Sequence, residues 1–451
     1  MKIFQTLARP FVSFVERYYP DAFIFVIVLS LITFLSALFL TDSTVTSTLL
    51  AWGNGLPMLL KFTAQITIIM VGAHALAHTN PVQKFLTRIG QLPNSANQAY
   101  SLVAFTSGIA SLCAWSFGLV IGAIVARSVA SECAKKSFKI HYPLLVASAY
   151  SGFVIWHMGY SSSAALFVAT PGHLLEDRVG IIPVTETILS STNIVMALMA
   201  LAIITIICPL MRPKDKDIIE FTPNTIDNID NSALDNQSEL TLIEKFENHR
   251  ALNIFLGLAL VSYIVVTYTQ NGFSLNLNIV SWTFLAFGLI LAASPMHFIK
   301  LINNAAATVG PIILQYPFYS GIMGMMATTG LMKVITDWII SISTPETLGF
   351  FAFLSGGLVN MFIPSGGGQW AVQGPIMIEA ALSLNVNPSV VVLGVAYGDQ
   401  WSNMIQPFWT IPILAIAGLH MRQILGYTFV IFIMTGFLYG GGMLYMGSGN
   451  I

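Results

Sequence analysis

The 451-residue sequence is 55% hydrophobic and only 9% charged, a balance that sets it apart from soluble enzymes and places it among polytopic membrane proteins. Its formal net charge of -1, with no basic stripe, argues against a nucleic-acid partner. The three cysteines, Cys113, Cys133 and Cys208, lie in or beside apolar runs without ligand spacing, so they read as buried small residues and not as a disulfide framework.

In chain order, Lys2, Arg9 and Arg17 precede an apolar run at 22–40, long enough at about 1.5 Å per residue to cross about 30 Å of hydrocarbon. It lacks an A-x-A cleavage pattern and reads as a retained first helix. A second run covers 55–77, with Lys61 just inside it, and the next loop carries Lys84 and Arg88. The run at 99–126 is interrupted by Ser107-Gly108 and by Trp115-Ser116-Phe117-Gly118 and is followed by Arg127, Lys135, Lys136 and Lys139. Basic residues on both sides predict a re-entrant hairpin that enters and leaves on one face. The run at 142–171 is broken by Trp156-His157-Met158-Gly159-Tyr160 and three serines, and a whole span follows at 188–210.

Residues 212–250 hold nine of the twenty acidic residues and too little apolar surface to fold alone, so they read as a cytoplasmic polar linker between membrane halves 1–211 and 251–451. Thr241 to Glu244 fits a capping box and predicts a short surface helix. The second half opens with spans at 251–268, 279–293 and 308–331, the last holding Gln315, Tyr316, Pro317, Tyr319 and Ser320. A run at 350–381 is interrupted by Asn360-Met-Phe-Ile-Pro-Ser-Gly-Gly-Gly-Gln-Trp-Ala-Val-Gln-Gly-Pro375, one at 390–418 is broken at 400–407, and a last helix covers 424–445. Non-helical chain at membrane depth survives only where protein or a wet cavity surrounds it. Two helix ends meeting at Ser365 to Gly368 would present N–H groups and a positive dipole end to an anion. The plainer alternative is a tight Gly-rich loop at the membrane surface.

The halves repeat. Ser107-Gly108 is followed 42 residues later by Ala149-Tyr150 and 23 further on by Gly172; Ser355-Gly356 is followed 41 later by Ala396-Tyr397 and 22 on by Gly418. A hairpin, a broken span and a whole span recur in the same order. With the N-terminus cytoplasmic and both hairpins re-entrant, sixteen of nineteen Lys and Arg fall inside, and only Lys61, Arg178 and Lys333 outside. The expected count is nine spans, four before the linker and five after, so the second repeat is inverted. The predicted fold is an all-α polytopic membrane protein built from inverted repeats with two re-entrant hairpins and broken transmembrane helices.

Pro364-Ser365-Gly366-Gly367-Gly368-Gln369-Trp370, Gln373-Gly374-Pro375, and Ala396-Tyr397-Gly398-Asp399-Gln400-Trp401 with Asn403 and Gln406-Pro407-Phe408-Trp409 resemble the short-chain fatty acid transporter family, the acetoacetate and butyrate permease type. The likeness extends to Tyr19-Pro20-Asp21, the Trp115-x-Phe-Gly of the first hairpin and Ala169-Thr170-Pro171-Gly172. It implies a plan like that of the broader ion-transporter group, symport by an elevator-like movement and a scaffold that usually forms homodimers.

Asp399, eleven residues after Pro388 and so about 16 Å into the bilayer if helical, is the one carboxylate near the midplane. An intramembrane acid points to an ion or proton site, against the alternative of a structural cap. Asp399, Ser402 and His157 are read as ion-coupling, with Na⁺ or H⁺ as the coupling cation and no other cofactor. Ser161, Ser162, Ser163, Ser365, Gly366, Gly367, Gln369, Trp370 and Asn403 are read as substrate-binding, through hydroxyls, amides and half-helix N-termini, since no Arg or Lys lies well inside either break. Serines also pack harmlessly between membrane helices. Trp115, Trp156, Trp370 and Trp401 are candidates for an apolar wall, or for interfacial packing. His74 and His78 have metal-compatible spacing but no third ligand or zinc-protease Glu, so no metal site is expected. Glu379 reads as interfacial.

These expectations describe a secondary transporter of the cytoplasmic membrane, N-terminus inside, moving a short-chain monocarboxylate with a cation. The alternatives are a carrier of a dicarboxylate or acyl-amino acid, an anion channel, or, with no nucleophile and base pair to support it, a membrane hydrolase.

Overall fold

The computed structural model describes residues 22–136, 138–221, 241–306, 309–406 and 408–449. The basic residues ahead of the first helix, Tyr19-Pro20-Asp21, linker positions 222–240 and Pro407 lie outside them. Among the described residues every regular element is a helix.

After α1 (Ala22–Leu40), a helix that the apolar runs did not predict precedes the expected second span. A capping box between Thr44 and Ser47 opens α2 (Val45–Gly55), which stops ahead of Pro57, and α3 (Leu60–Ala77) follows. The break seats Gly55 against a later helix, where a Cβ would lie 2.8 Å from the Ser320 carbonyl oxygen. The Ser320 hydroxyl donates to the Gly55 carbonyl at 2.6 Å.

Next comes α4 (Asn80–Gly90), a one-sided helix that buries Leu86 and Gly90 and exposes Lys84 and Arg88. The first hairpin pairs α5 (Ala96–Cys113) with α6 (Trp115–Lys135) across the single extended residue Ala114. By length and hydropathy α6 qualifies as a span. Lys136 nevertheless donates to the carbonyls of Gln91 and Pro93 at 2.6 and 2.8 Å, which brings the end of α6 back beside the start of α5. The predicted broken run is α7 (Tyr142–Ser151), a tight 3₁₀ stretch (Gly152–Met158) and α8 (Ser163–Ala169), followed by α9 (Ser191–Leu210).

Across the linker, Thr241 and Glu244 form the expected capping box on α10 (Leu242–Glu247). α11 (Arg250–Asn271) buries only Asn253 and Gly257 among its residues, which suits a helix surrounded by lipid. α12 (Leu277–Leu291) and the one-sided α13 (Pro295–Ala306) lead to α14 (Gly310–Thr329). The run expected to reach residue 331 ends at Gly330, whose φ of +83° favours glycine, and the chain turns 82° into α15 (Leu331–Ile342). The second hairpin is α16 (Leu348–Asn360) and α17 (Gly366–Ser383); the second broken run is α18 (Pro388–Ser402) and α19 (Thr410–Ala417), and α20 (Met421–Gly447) closes the fold. Among the described residues six helices are long and apolar enough to cross a membrane, or seven if α14 and α15 count as one bent span, against the nine spans expected.

Contacts at the helix ends fix the inversion. Lys136 clasps the open end of the first hairpin to the residues just after α4, which follows the C-terminus of α3. At the other end of α3, Lys61 reaches the Pro171 carbonyl at 3.4 Å, and the same loop carries Arg178, paired with Glu379 near the open end of the second hairpin at 3.2 Å. The two hairpins therefore open toward opposite ends of α3. Each packs closely on its own broken run through a glycine of that run. A Cβ on Gly152 would lie 2.6 Å from Ser107, and one on Gly398 would meet Gly357 at 2.5 Å.

Candidate functional site

The hairpin tips and the two breaks converge. At the first break, an extended Gly159 frees the chain from the 3₁₀ stretch, and Ser161 reaches the first hairpin, accepting a 3.1 Å bond from the Trp115 N–H at the start of α6. Ala114 has no side-chain oxygen, so Ser161 satisfies an orphan donor that the helix cannot satisfy itself. Ser162 lies 3.1 Å from His157 Nδ1, and Ser163 is buried as the first residue of α8.

At the second break, Asp399, Ser402 and Asn403 end α18 around one side chain absent from the sequence candidates. The Asn360 amide, at the last position of α16, donates to the Asp399 carbonyl (3.0 Å), the Ser402 hydroxyl (2.8 Å) and Asn403 Oδ1 (2.7 Å). Gln406 in turn donates to the Asn360 carbonyl at 2.8 Å, and the Asn403 amide reaches Asp399 Oδ1 at 3.3 Å. A polar residue closing an apolar helix was the signal for Asn360. Its function as the knot of the second break needed tertiary structure.

The two breaks meet at His157 and Asp399, 3.8 Å apart from Nε2 to Oδ1 and both almost wholly buried. Gln400, named in the sequence only as part of a motif and given no site role, accepts from the His157 N–H at 2.8 Å through its side-chain oxygen. Around this junction His157 Nε2, Asp399 Oδ2, Gln400 Nε2 and Asn360 Oδ1 are buried without a protein hydrogen-bond partner. Buried polar groups are ordinarily satisfied, so such a cluster marks a place for water, ion or ligand. It offers acceptors for a cation and donors for an anion.

The second hairpin tip closes over the junction. Ser365 caps α17, accepting from the Gly368 N–H at 3.4 Å, and shares a 2.8 Å bond with the Tyr316 hydroxyl. Each glycine behind it touches a different partner: a Cβ on Gly366 would collide with His157 and Trp156, one on Gly367 would lie 2.7 Å from both Phe62 and the Tyr316 hydroxyl, and one on Gly368 would lie 2.7 Å from the Tyr319 ring. The three consecutive glycines thus give the tip a bare backbone surface at the closest approach.

The remaining candidates make bracing or packing contacts. The Gln369 amide nitrogen joins the hairpin arms, donating to the Gly356 carbonyl at 2.8 Å and to Gln373 at 3.0 Å. The Trp370 ring lies over Gly374, one turn on in its own helix. Trp401 stacks on Phe432 at 4.1 Å and donates to its carbonyl. Trp156 packs on His157 at 3.6 Å, and Trp115 packs on Trp409 at 4.8 Å. His74 and His78 stack at 4.5 Å, and among the described residues no group of three metal-ligating side chains forms.

A family model described as short chain fatty acid transporter matches residues 3–446. A protein of Escherichia coli K12 is 36% identical over 433 residues, covering 96% of this chain and 98% of its own. One from Haemophilus influenzae is 36% identical over 449 residues, covering 98% and 99%. Both carry the provisional name of short-chain fatty acid transporter. Among solved structures, the YdaH transporter of Alcanivorax borkumensis, described as having an unusual topology, superposes with a TM-score of 0.54 at 13% identity, covering 95% of this chain and 98% of that one. That likeness concerns the fold alone.

Proposed function

Because the chain belongs to the short-chain fatty acid transporter family, we propose that it is a secondary active symporter that carries a short-chain monocarboxylate such as butyrate or acetoacetate inward with Na⁺ or H⁺. It works in the cytoplasmic membrane with its N-terminus inside, the orientation that leaves Lys61, Arg178 and Lys333 as the outer cations. The observation that carries this reading is the buried His157–Asp399 junction, where each inverted repeat contributes one ionisable group and four polar atoms lack a protein partner.

The chemistry divides between the two sides of the junction. Asp399, Ser402 and Asn403 supply oxygens for the cation, with His157 facing the same carboxylate. The α17 N-terminus, Ser365 and the Gly366–Gly367 backbone supply donors to the substrate carboxylate, joined by Ser162. Binding both charges together offsets the cost of carrying either across hydrocarbon. Closure of the Gly-rich tip on His157, Phe62, Tyr316 and Tyr319 then occludes the pair.

Uptake of radiolabelled butyrate and acetoacetate into proteoliposomes, under a Na⁺ gradient, a pH gradient or neither, tests the proposal. Accumulation that requires one gradient identifies the ion and supports symport. Saturable equilibration without accumulation under any gradient refutes coupling.

A further inference from the structure

Lys61 and Phe62, neighbours at the first turn of α3, look onto a cleft distinct from the paired breaks. Lys61 is exposed, its ammonium touches only the Pro171 carbonyl at 3.4 Å, and among the described residues no carboxylate pairs with it. The nearby Glu176 carboxylate accepts instead from the Gly172 N–H. Beside Lys61 lies a cleft of about 70 Å³ whose walls include Leu59, Phe62, Phe167, Leu174 and Leu277. That exceeds the roughly 10–15 Å³ that a single water needs.

The other polar groups on this cleft are already engaged. Thr170 donates to the Leu166 carbonyl and accepts from the Leu277 N–H. His173 receives the Leu175 N–H at Nδ1 and meets the Gly180 carbonyl through Nε2, and burial holds its pKa below the ordinary histidine value. The Gln65 amide donates to Asn278 at 2.8 Å. What is left is one cation over an apolar trough, the complement of a short aliphatic carboxylate. Its floor is the Phe62 ring, edge-on to Phe167 at 5.1 Å and stacked on Tyr316 at 5.9 Å. The same ring touches the hairpin tip, where a Cβ on Gly367 would lie 2.7 Å from it.

We propose that this cleft is a second, peripheral subsite for the transported carboxylate, in which Lys61 takes the carboxylate and Phe62 forms the partition between the cleft and the second hairpin tip. The subsite rests on the transport reading above and extends it to the step before occlusion. Displacing one ring opens the way from cleft to tip.

Three experiments on the full chain in proteoliposomes test it. Lys61→Gln is expected to raise the KM for butyrate about fivefold with Vmax unchanged, and Lys61→Arg to restore it. Raising ionic strength with choline chloride should weaken the wild type in the same direction and leave Lys61→Gln flat, because an exposed charge is screened. A short-chain acid bearing a diazirine should label residues 58–62 and 167–174, with protection by butyrate and loss of labelling in Lys61→Gln. An unchanged KM in Lys61→Gln, or uptake without cleft labelling, overturns the subsite while leaving transport intact. Protected labelling in a protein that moves no short-chain acid supports the subsite and sinks the transport reading instead.

Discussion

Tyr150 and Tyr397 hold equivalent positions in the two repeats, and each reaches the other repeat's break. The Tyr150 hydroxyl donates to the Asn403 carbonyl at 2.7 Å. The Tyr397 hydroxyl donates to Asn193 Oδ1 at 2.8 Å, and the Asn193 amide passes the connection to the Met158 carbonyl at 3.0 Å. The internal symmetry thus becomes a reciprocal tie, each repeat bracing the irregular backbone of its partner.

Removing the Tyr397 hydroxyl leaves Asn193 Oδ1 unpaired, and removing the Tyr150 hydroxyl leaves the buried Asn403 carbonyl with only the Gln406 N–H at 3.3 Å. Tyr150→Phe and Tyr397→Phe are each expected to destabilise the protein by about 1–3 kcal/mol. Thermal unfolding in detergent reads this directly, and midpoints equal to the wild type for both variants would refute the brace.

Asp399→Asn keeps the volume and hydrogen-bonding reach of the side chain while removing its charge. Gradient-driven accumulation of butyrate should collapse toward simple equilibration, with the folded yield preserved. A variant that accumulates as the wild type does would assign Asp399 a purely structural role.

Gly367→Ala inserts a methyl between Phe62 and Tyr316, where overpacking costs about 1–3 kcal/mol. Uptake should fall about tenfold or more, and hydrogen exchange at 363–368 should rise as the tip loses its seat. Gly441→Ala, whose Cβ meets nothing within 4 Å, is the matched control and should leave both unchanged. Equal uptake by the two variants would show that the tip does not close against α3 and α14.

Acid should loosen the start of α7. His141, just before that helix, accepts the Ile219 N–H at 3.0 Å, and burial lowers its pKa from 6.5 to about 4, with Asp217 opposing the shift. Between those values the unfolded chain binds a proton that the folded one refuses, so the contribution is complete above about 6.5 and falls as pH drops toward 4. Hydrogen exchange at 138–146, compared at about pH 7 and about pH 5, should show faster opening in acid; equal rates would contradict the shift.

Much of this architecture was legible in residue patterns, because glycine, proline and serine inside apolar runs have few explanations in lipid. That logic located both hairpins and both breaks and placed His157 and Asp399 in them. It passed over α4, α13 and α15, whose one-sided apolar faces never accumulate into a long apolar run. It gave no site role to Asn360, Gln400, Phe62 or Tyr316. Their meaning depends on chain segments far from them in sequence: Tyr316 is 49 residues from Ser365, and Gln400 is 243 from His157. Spacing within a helix shows which face a residue shares, but not which remote backbone group will arrive there.

The bond from the His157 backbone to Gln400 has a consequence for biogenesis. Ribosomal synthesis delivers the first break to the membrane long before α18 exists, so its irregular peptide groups must rest on water or on assembly factors in the interval. An early half-chain is consequently the vulnerable stage of this protein's life, and the arrival of α18 replaces borrowed hydration with permanent internal partners.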